Sequence, residues 1–190
     1  MNGTEQLIFG PDAIEFVGYP SDGYIMHRSE TRVMQELARL SCQNGGDILE
    51  IGFGMGISAG YVQSNSINSH TIIEVHPDVY ARALIWAKDK PNTTVILGDW
   101  YSILPTINRV FDGILHDTHE DVNLREFFNI VPSVCKNGTV IAVFRYPYKD
   151  VPLTRIDVQL TDNERTSNPI PNITKFTLGW NTYIGGEFII

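Results

Sequence analysis

The sequence has 190 residues, of which 43% are apolar and 19% are charged, a composition typical of a globular protein. Its formal net charge of −8 argues against nucleic acid or an anionic membrane as the main partner, because both bind basic surfaces. The N-terminus does not resemble a signal peptide and no apolar run approaches the roughly 20 residues of a membrane span, so we expect a cytoplasmic protein.

The first 23 residues are rich in glycine, proline and aspartate without a hydrophobic period, and we interpret them as an arm or lid. From Met26 to Leu40 apolar residues recur at helical spacing, and Asn44-Gly45-Gly46 would end that helix. Strand and helix patterns then alternate. The predicted strands are residues 47–51, 70–75, 93–97, 112–115 and 139–144, and the helices between them are 57–64, 79–88 and 122–134.

This alternation predicts an α/β fold with a Rossmann-like, doubly wound and mostly parallel sheet, preceded by an N-terminal helical arm. Residues 145–190 contain strand-like runs at 156–160, 173–178 and 182–190, which we expect to form an antiparallel C-terminal edge. No repeat or linker divides the chain. We therefore expect one domain over residues 1–190, with an arm (1–23), a cofactor-binding core (24–144) and a strand extension (145–190).

A glycine cluster follows the first predicted strand, in the run Glu50-Ile51-Gly52-Phe53-Gly54-Met55-Gly56. Alternate glycines let the backbone pass close beneath a ligand, and the next helix presents free N–H groups there. Ile57 stands where the dinucleotide pattern G-x-G-x-x-G needs its third glycine, which disfavours a nicotinamide-dependent oxidoreductase. The run instead resembles motif I of S-adenosylmethionine-dependent methyltransferases.

Three further segments suit the same cofactor. Glu74, followed by Val75, ends the second strand, where a carboxylate can accept both ribose hydroxyls of a nucleoside. Gly98-Asp99-Trp100 follows the third strand and offers a polar contact and an aromatic face for adenine. Asp117 follows the fourth strand at the same sheet edge. We expect these residues and the glycine cluster to bind S-adenosyl-L-methionine, with S-adenosyl-L-homocysteine as product.

Several segments resemble guanidinoacetate N-methyltransferase and related guanidino or arginine N-methyltransferases. They are residues 45–55, Ile72-Ile73-Glu74, Gly98-x-Trp100, residues 111–118, and upstream Met26-x-Arg28-x-Glu30-Thr31-x-x-Met34. The resemblance covers residues 24–144. It implies that Met26 and Met34 line the cofactor site and that Glu30 and Asp117 hold the guanidino group of the substrate.

The implied chemistry is consistent with these residue types. Two carboxylates grip a guanidinium through charge-assisted hydrogen bonds and orient one nitrogen toward the methyl group. We expect Asp117 to accept the leaving proton and Glu30 to be the second clamp. Thr118, His119 and Tyr146 are the other expected substrate contacts. The expected substrate is a small guanidino compound or an arginine derivative, including peptidyl arginine.

Some positions depart from that family. Ser29 replaces a bulky aromatic residue, His116 and His119 replace aromatic residues beside Asp117, and the segment 144–148 does not match. A small-molecule O- or N-methyltransferase with a histidine base therefore stays open, as does a non-catalytic cofactor-binding protein. Residues 116–121 hold metal-ligand types, but neighbouring side chains there point in different directions, so we expect no metal. The oligomeric state is open, with a homodimer as one arrangement.

Overall fold

The N-terminal part of the chain forms a small antiparallel sheet. The computed structural model describes residues 3–18, 24–119, 124–144, 154–159, 161, 175–184 and 187–189. Its first strands are β1 (Leu7–Phe9), β2 (Ala13–Phe16) and β3 (Tyr24–His27), which pair in that order.

This sheet includes part of the predicted N-terminal arm (1–23) and corrects the predicted start of the following helix at Met26. In β3, Tyr24 and Met26 are buried while Ile25 and His27 are half-buried, which is the two-residue alternation of a strand. A pattern of four residues is too short to distinguish the period of a strand from that of a helix, because an apolar residue at Met26 fits both. The helical part begins only after His27.

A 3-10 turn (Arg28–Glu30) leads into α1 (Thr31–Ser41). This helix buries residues spaced three and four apart, which are Val33, Met34, Leu37, Ala38, Leu40 and Ser41. That spacing places one apolar stripe against the sheet. Among the described residues, no helix has the length and apolar character needed to cross a membrane.

Five parallel strands form the centre of the main sheet. In chain order the elements are β4 (Gly46–Ile51), α2 (Ile57–Gln63), β5 (Ile67–Glu74), α3 (Pro77–Ala87), β6 (Thr93–Leu97), α4 (Trp100–Ile103), β7 (Phe111–His116), α5 (Leu124–Ile130) and β8 (Cys135–Phe144). The strands lie in the order β8-β7-β4-β5-β6. The chain therefore runs outward from β4 to one edge and returns on the other side of β4, as in a doubly wound sheet. The predicted fold class is confirmed.

The C-terminal strands are β9 (Thr154–Gln159), β10 (Lys175–Ile184) and β11 (Glu187–Ile189). β10 pairs antiparallel with β8, and both β9 and β11 pair antiparallel with β10, which confirms the predicted antiparallel edge. The strand boundaries differ from prediction because β10 runs unbroken through Gly179, a residue that usually weakens a strand.

The helix after β7 ends earlier than predicted. α5 ends at Ile130 and a 3-10 turn follows over Val131–Val134. Pro132 has no N–H to donate to the preceding turn, so it favours a break there. The predicted start of this helix at residue 122 lies outside the described residues.

The core has two layers because successive strand residues point to opposite faces of the sheet. Ile48 of β4 packs with Met34 and Leu37 of α1 on one face. Leu49, the next residue, packs with Phe127 of α5 on the other face. Helices thus cover both faces, and the carboxyl ends of the parallel strands are left to form a crevice.

The contact between α1 and β7 yields a stability prediction. A Cβ built on Gly113 of β7 would lie 1.8 Å from the backbone oxygen of Ser41, whereas one on Gly60 of α2 would meet nothing within 4 Å. We expect Gly113→Ala to lower the unfolding free energy by about 2 kcal/mol or more, because backbone atoms must move. Gly60→Ala should raise it by roughly 0.5–1 kcal/mol through helix propensity. Urea denaturation checks both, and equal stabilities would contradict the described packing.

Candidate active site

One cavity of about 310 Å³ opens at the carboxyl ends of the parallel strands, with β3 as an additional wall. Its volume lies within the range of small-molecule sites, about 300–1,000 Å³. The predicted site residues that line it are Met26, Gly52, Gly54, Glu74, Val75, Gly98, Asp99, Trp100, Asp117, Thr118 and His119. Segments far apart in sequence therefore converge on one space.

The glycine loop (residues 52–56) is packed too closely for side chains. Gly52 has φ of +90°, and a Cβ there would lie 2.0 Å from the backbone oxygen of Asp117. Gly54 has φ of +52°, and its Cβ would lie 2.6 Å from Met26 Sδ. Met55 N also donates a hydrogen bond to that sulfur at 3.1 Å. The loop is thus held between the end of β7 and β3.

Glu74 anchors the loop from the neighbouring strand. Its Oε2 accepts a hydrogen bond from Phe53 N at 2.8 Å, and its Oε1 accepts one from His76 N at 2.8 Å. Burial raises the pKa of this carboxyl group, while the N–H groups of His76, Phe53 and Gly54 act in the opposite direction. A carboxylate has about four acceptor positions, so beside these three N–H groups Glu74 retains about one acceptor position for a ligand in the cavity.

Gly98, Asp99 and Trp100 form the part of the wall that follows β6. Gly98 N donates to Glu74 O at 2.9 Å, which joins the ends of β5 and β6. Asp99 caps α4 through an Oδ1 that accepts from Tyr101 N at 3.1 Å. The Trp100 ring packs edge-on against Phe127, with 5.7 Å between ring centroids, and is half-buried. The core thus fixes this indole while it lines the cavity.

Asp117 lies directly after β7, and its N–H donates to Ile51 O at 2.9 Å. That bond places the aspartate beside the glycine loop. Thr118 and His119 follow along the same wall. The His119 ring contacts Phe16 of β2, with 5.0 Å between ring centroids. The N-terminal sheet therefore contacts the cavity at both Met26 and His119.

Other predicted cofactor residues do not line the cavity. Met34 lies fully buried in the core with Leu37, because its position on α1 faces the sheet. Glu50 is fully buried beside His70 and Ser58. Its neighbour Ile51 lines the cavity, whereas the Glu50 side chain is turned to His70 and Ser58.

The remaining glycine-loop residues support the loop from behind. The Phe53 ring is buried against Trp86, with 5.5 Å between centroids, and occupies the space where a Cβ of Gly56 would lie. Met55 packs partly against the core near α1. These side chains stabilise the loop without facing the cavity.

Glu30 and Tyr146 differ from the residues above. Glu30 is only 2% exposed in the turn between β3 and α1, and it does not line the cavity. Tyr146 lies outside the described residues, as do Glu120 and Asp121 of the segment that carries metal-ligand types.

His116, the other candidate base, is directed into the core. Its ring lies 4.4 Å from that of Phe127 and 5.9 Å from that of Trp100, between ring centroids, and only 2% of the residue is exposed. Burial lowers its pKa to about 4. His116 is therefore neutral at physiological pH, and it does not line the cavity, whereas its neighbour Trp100 does.

Sequence reasoning missed Glu126 and Tyr101, which also line the cavity together with the apolar side chains of Ile25, Ile51, Ile73 and Val79. Tyr101 follows Trp100 directly and could have been included. Glu126 lies in the first turn of α5, where an acidic residue is common because it interacts favourably with the helix dipole. Because that role is common, the sequence gives no sign that Glu126 also lines the cavity.

Solved structures share this fold. Spermidine synthase from Thermotoga maritima superposes with a TM-score of 0.66 at 16% identity, covering 95% of this chain and 74% of that one. The N-methyltransferase NodS from Bradyrhizobium japonicum gives a TM-score of 0.62 at 17% identity, covering 82% and 97%. The chain has the fold of the class I S-adenosylmethionine-dependent methyltransferases.

Sequence comparison defines the family more closely. Residues 11–134 match the model of the guanidinoacetate N-methyltransferase family, and the chain belongs to that family. Protein arginine N-methyltransferase 2 of Yarrowia lipolytica is 31% identical over 153 residues, or 74% of this chain and 32% of that protein. Its namesake in Aspergillus fumigatus is 36% identical over 113 residues, or 55% and 26%. The chain thus spans about a quarter to a third of the length of these curated relatives.

The neutral His116 yields a pH prediction. Because its folded-state pKa lies below the usual 6.5, the unfolded chain takes up a proton first as the pH falls, and stability is lost between pH 6.5 and about 4. Between pH 7.5 and pH 5 we expect the wild type to lose roughly 2 kcal/mol more than His116→Phe, which keeps an aromatic ring but cannot be protonated. Urea unfolding at both pH values measures the difference. Parallel losses in the two proteins would refute the neutral buried imidazole.

Proposed function

We propose that this chain is an S-adenosylmethionine-dependent N-methyltransferase that acts on a guanidino group. The observation that carries the proposal is the cavity in which the glycine loop, Glu74, Trp100 and Asp117 meet. Membership in the guanidinoacetate N-methyltransferase family supports the guanidino substrate. Relatives named protein arginine N-methyltransferase 2 support an arginine side chain as one form of it.

The cavity suits the cofactor in shape and charge. Gly52 and Gly54 allow close approach of the amino-acid part, Glu74 can accept hydrogen bonds from ribose hydroxyls, and Trp100 offers an aromatic face to adenine. Among the described residues, four carboxyl groups line the cavity, those of Glu74, Asp99, Asp117 and Glu126. The other ionisable groups in this part of the wall are the imidazole of His119 and the phenol of Tyr101. Four carboxylates around one space favour a cationic ligand, and both a sulfonium and a guanidinium are cations.

Asp117 is the residue that we assign to the chemical step. When bound, S-adenosylmethionine supplies an electrophilic methyl group on its sulfonium. The Asp117 carboxylate would hold two guanidinium N–H groups by charge-assisted hydrogen bonds and orient one nitrogen for in-line attack. The same carboxylate would accept the proton that the methylated nitrogen loses.

Glu30 is proposed as the second clamp. It is buried in the turn after β3, four residues beyond Met26, which lines the cavity. Thr118 and His119 would contact the remainder of the substrate, and Tyr146 belongs to the same proposal on the basis of sequence. The proposed substrate is a small guanidino compound or an arginine derivative, and the cytoplasm is the proposed location.

A second candidate function is favoured by His119. Its imidazole lines the cavity two residues after Asp117 and could serve as a general base for a hydroxyl or amine substrate. In that case the chain would be a small-molecule O- or N-methyltransferase of another class. Glu30→Gln would then keep its turnover, and His119→Gln would lose it.

Cofactor binding gives the first functional prediction. We expect S-adenosylhomocysteine to bind the wild type, and Glu74→Gln to weaken binding roughly tenfold to a hundredfold, because a charged acceptor of ribose hydroxyls is lost. Glu15→Gln, the same change on the exposed side of β2, should leave the dissociation constant within about twofold. Isothermal titration calorimetry measures all three. Unchanged affinity in Glu74→Gln would refute the ribose assignment.

The second functional prediction concerns turnover. Asp117→Asn should reduce methyl transfer to the best guanidino substrate at least about a hundredfold, since a general base contributes that much or more. Its affinity for S-adenosylhomocysteine should stay within about twofold of wild type, because the substitution keeps the backbone N–H that donates to Ile51 O.

The control for that variant is Asp89→Asn, which removes an exposed carboxylate just after α3. The assay uses radiolabelled cofactor with guanidinoacetate, free arginine and an arginine peptide. Full turnover by Asp117→Asn, or no turnover of any of these three guanidino substrates by the wild type, would contradict the proposed function.

A further inference from the structure

A buried polar network lies under the glycine loop and is not used by the proposed reaction. Glu50 Oε2 is 2.7 Å from His70 Nε2 of β5, and both side chains are fully buried. Glu50 Oε1 accepts a hydrogen bond from Ser58 Oγ of α2. The acidic residue of the glycine motif thus binds other parts of the protein and does not line the cavity.

Besides the hydrogen bond to Ser58, a second series of contacts connects Glu50 to the glycine loop through His70. Gln63 Nε2 lies 3.3 Å from His70 Nδ1 and donates to Thr93 Oγ1 at 3.0 Å, which fixes the imidazole in place. The His70 ring meets Trp86 edge-on, with 6.3 Å between ring centroids. Trp86 in turn packs against Phe53, the residue between the two glycines that line the cavity.

The energetics of such a pair point to a role in geometry. Apolar residues of similar volume are often as stabilising as a buried polar pair, because removing polar groups from water is costly. Hydrogen bonds are, however, directional and weaken steeply away from linear geometry. The contacts of Glu50 with Ser58 and His70 therefore restrain the positions of these two partners.

The position of Ser58 shows which geometry is fixed. Ser58 is the second residue of α2 and lies eight residues after Glu50, so the Glu50–Ser58 hydrogen bond spans the whole glycine loop. Gly52 and Gly54, which line the cavity, lie between these two anchors. One bond thus links the strand that enters the loop to the helix that leaves it.

We infer that Glu50 is a positioning residue, which sets the path of the glycine loop through Ser58 and His70 and so determines cofactor affinity without touching the cofactor. The inference rests on the proposed function, because it concerns how the same cavity holds the cofactor. Asp117 and Glu30 lie outside the network. Its loss therefore raises the cofactor dissociation constant and KM while kcat at saturating cofactor is retained.

The test compares two buried serines. Ser58→Ala removes the hydroxyl that donates to Glu50, whereas Ser41→Ala removes an equally buried hydroxyl that donates to Ala38 O at 3.2 Å within α1. Titration of each full-length variant with S-adenosylhomocysteine is carried out well below its unfolding midpoint. We expect the dissociation constant of Ser58→Ala to rise roughly tenfold, with kcat within about twofold, and that of Ser41→Ala to stay within about twofold.

Glu50→Gln is the second variant, measured in the same way, and is expected to weaken binding in the same direction as Ser58→Ala. Lower thermal stability with unchanged affinity in Ser58→Ala would make the network merely structural and overturn the inference. An equal loss in Ser41→Ala, or a kcat that falls together with affinity, would also overturn it. If the wild type itself fails to bind, the proposed function fails first and this inference with it.

Discussion

The close approach of the ends of β4 and β7 is the constraint on which the rest of the site depends. Gly52 has no Cβ, so the backbone oxygen of Asp117 can lie where a side chain would otherwise begin. The bonds from Gly52 N to Ile73 O and from Asp117 N to Ile51 O then fasten three neighbouring strand ends together. The loop, the proposed ribose acceptor and the proposed base are therefore brought together by one short set of backbone contacts, and the side chains of Glu74 and Met26 add to it.

The same arrangement of strand ends concentrates negative charge around the cavity. Strand ends carry Glu74, Asp99 and Asp117 to one edge, and α5 adds Glu126. The net charge of −8 in the sequence is thus partly concentrated around the cavity. Fields from like charges add within a concave site of low dielectric constant, so a cation gains more there than on an open surface. The sulfonium that carries the methyl group and the guanidinium of the proposed substrate are both cations and fit that environment.

The parts of the fold and site that sequence could predict are those fixed by local pattern. Glu74 and Asp117 follow apolar strands, and parallel strands end at one edge, so their convergence follows from the strand assignment alone. Glu50 shows where this reasoning stops. Motif spacing identifies the residue, but the direction of its side chain depends on His70 and Ser58, which only the assembled fold brings beside it.

Sequence patterns could not predict where Met34, Met26 and Gly179 lie in the fold, for related reasons. Met34 suits a cofactor wall and a helix core equally well, and tertiary packing decides between them. Met26 lies in a strand that is stabilised by β2, a partner whose own sequence has no clear period. Gly179 interrupts the hydrophobic pattern, yet β8 and β9 pair across it and keep β10 continuous.

The N-terminal sheet has a consequence for the whole molecule through Met26. Its sulfur accepts the Met55 N–H and fills the space above Gly54, so one wall of the cavity belongs to a segment that precedes the main sheet. Any detachment of that segment would therefore be coupled to occupation of the cavity. A ligand that contacts both walls holds the segment down by the same factor by which the attached segment tightens the ligand. Protease access to residues 3–18 would then report occupancy of a cavity that the protease never enters.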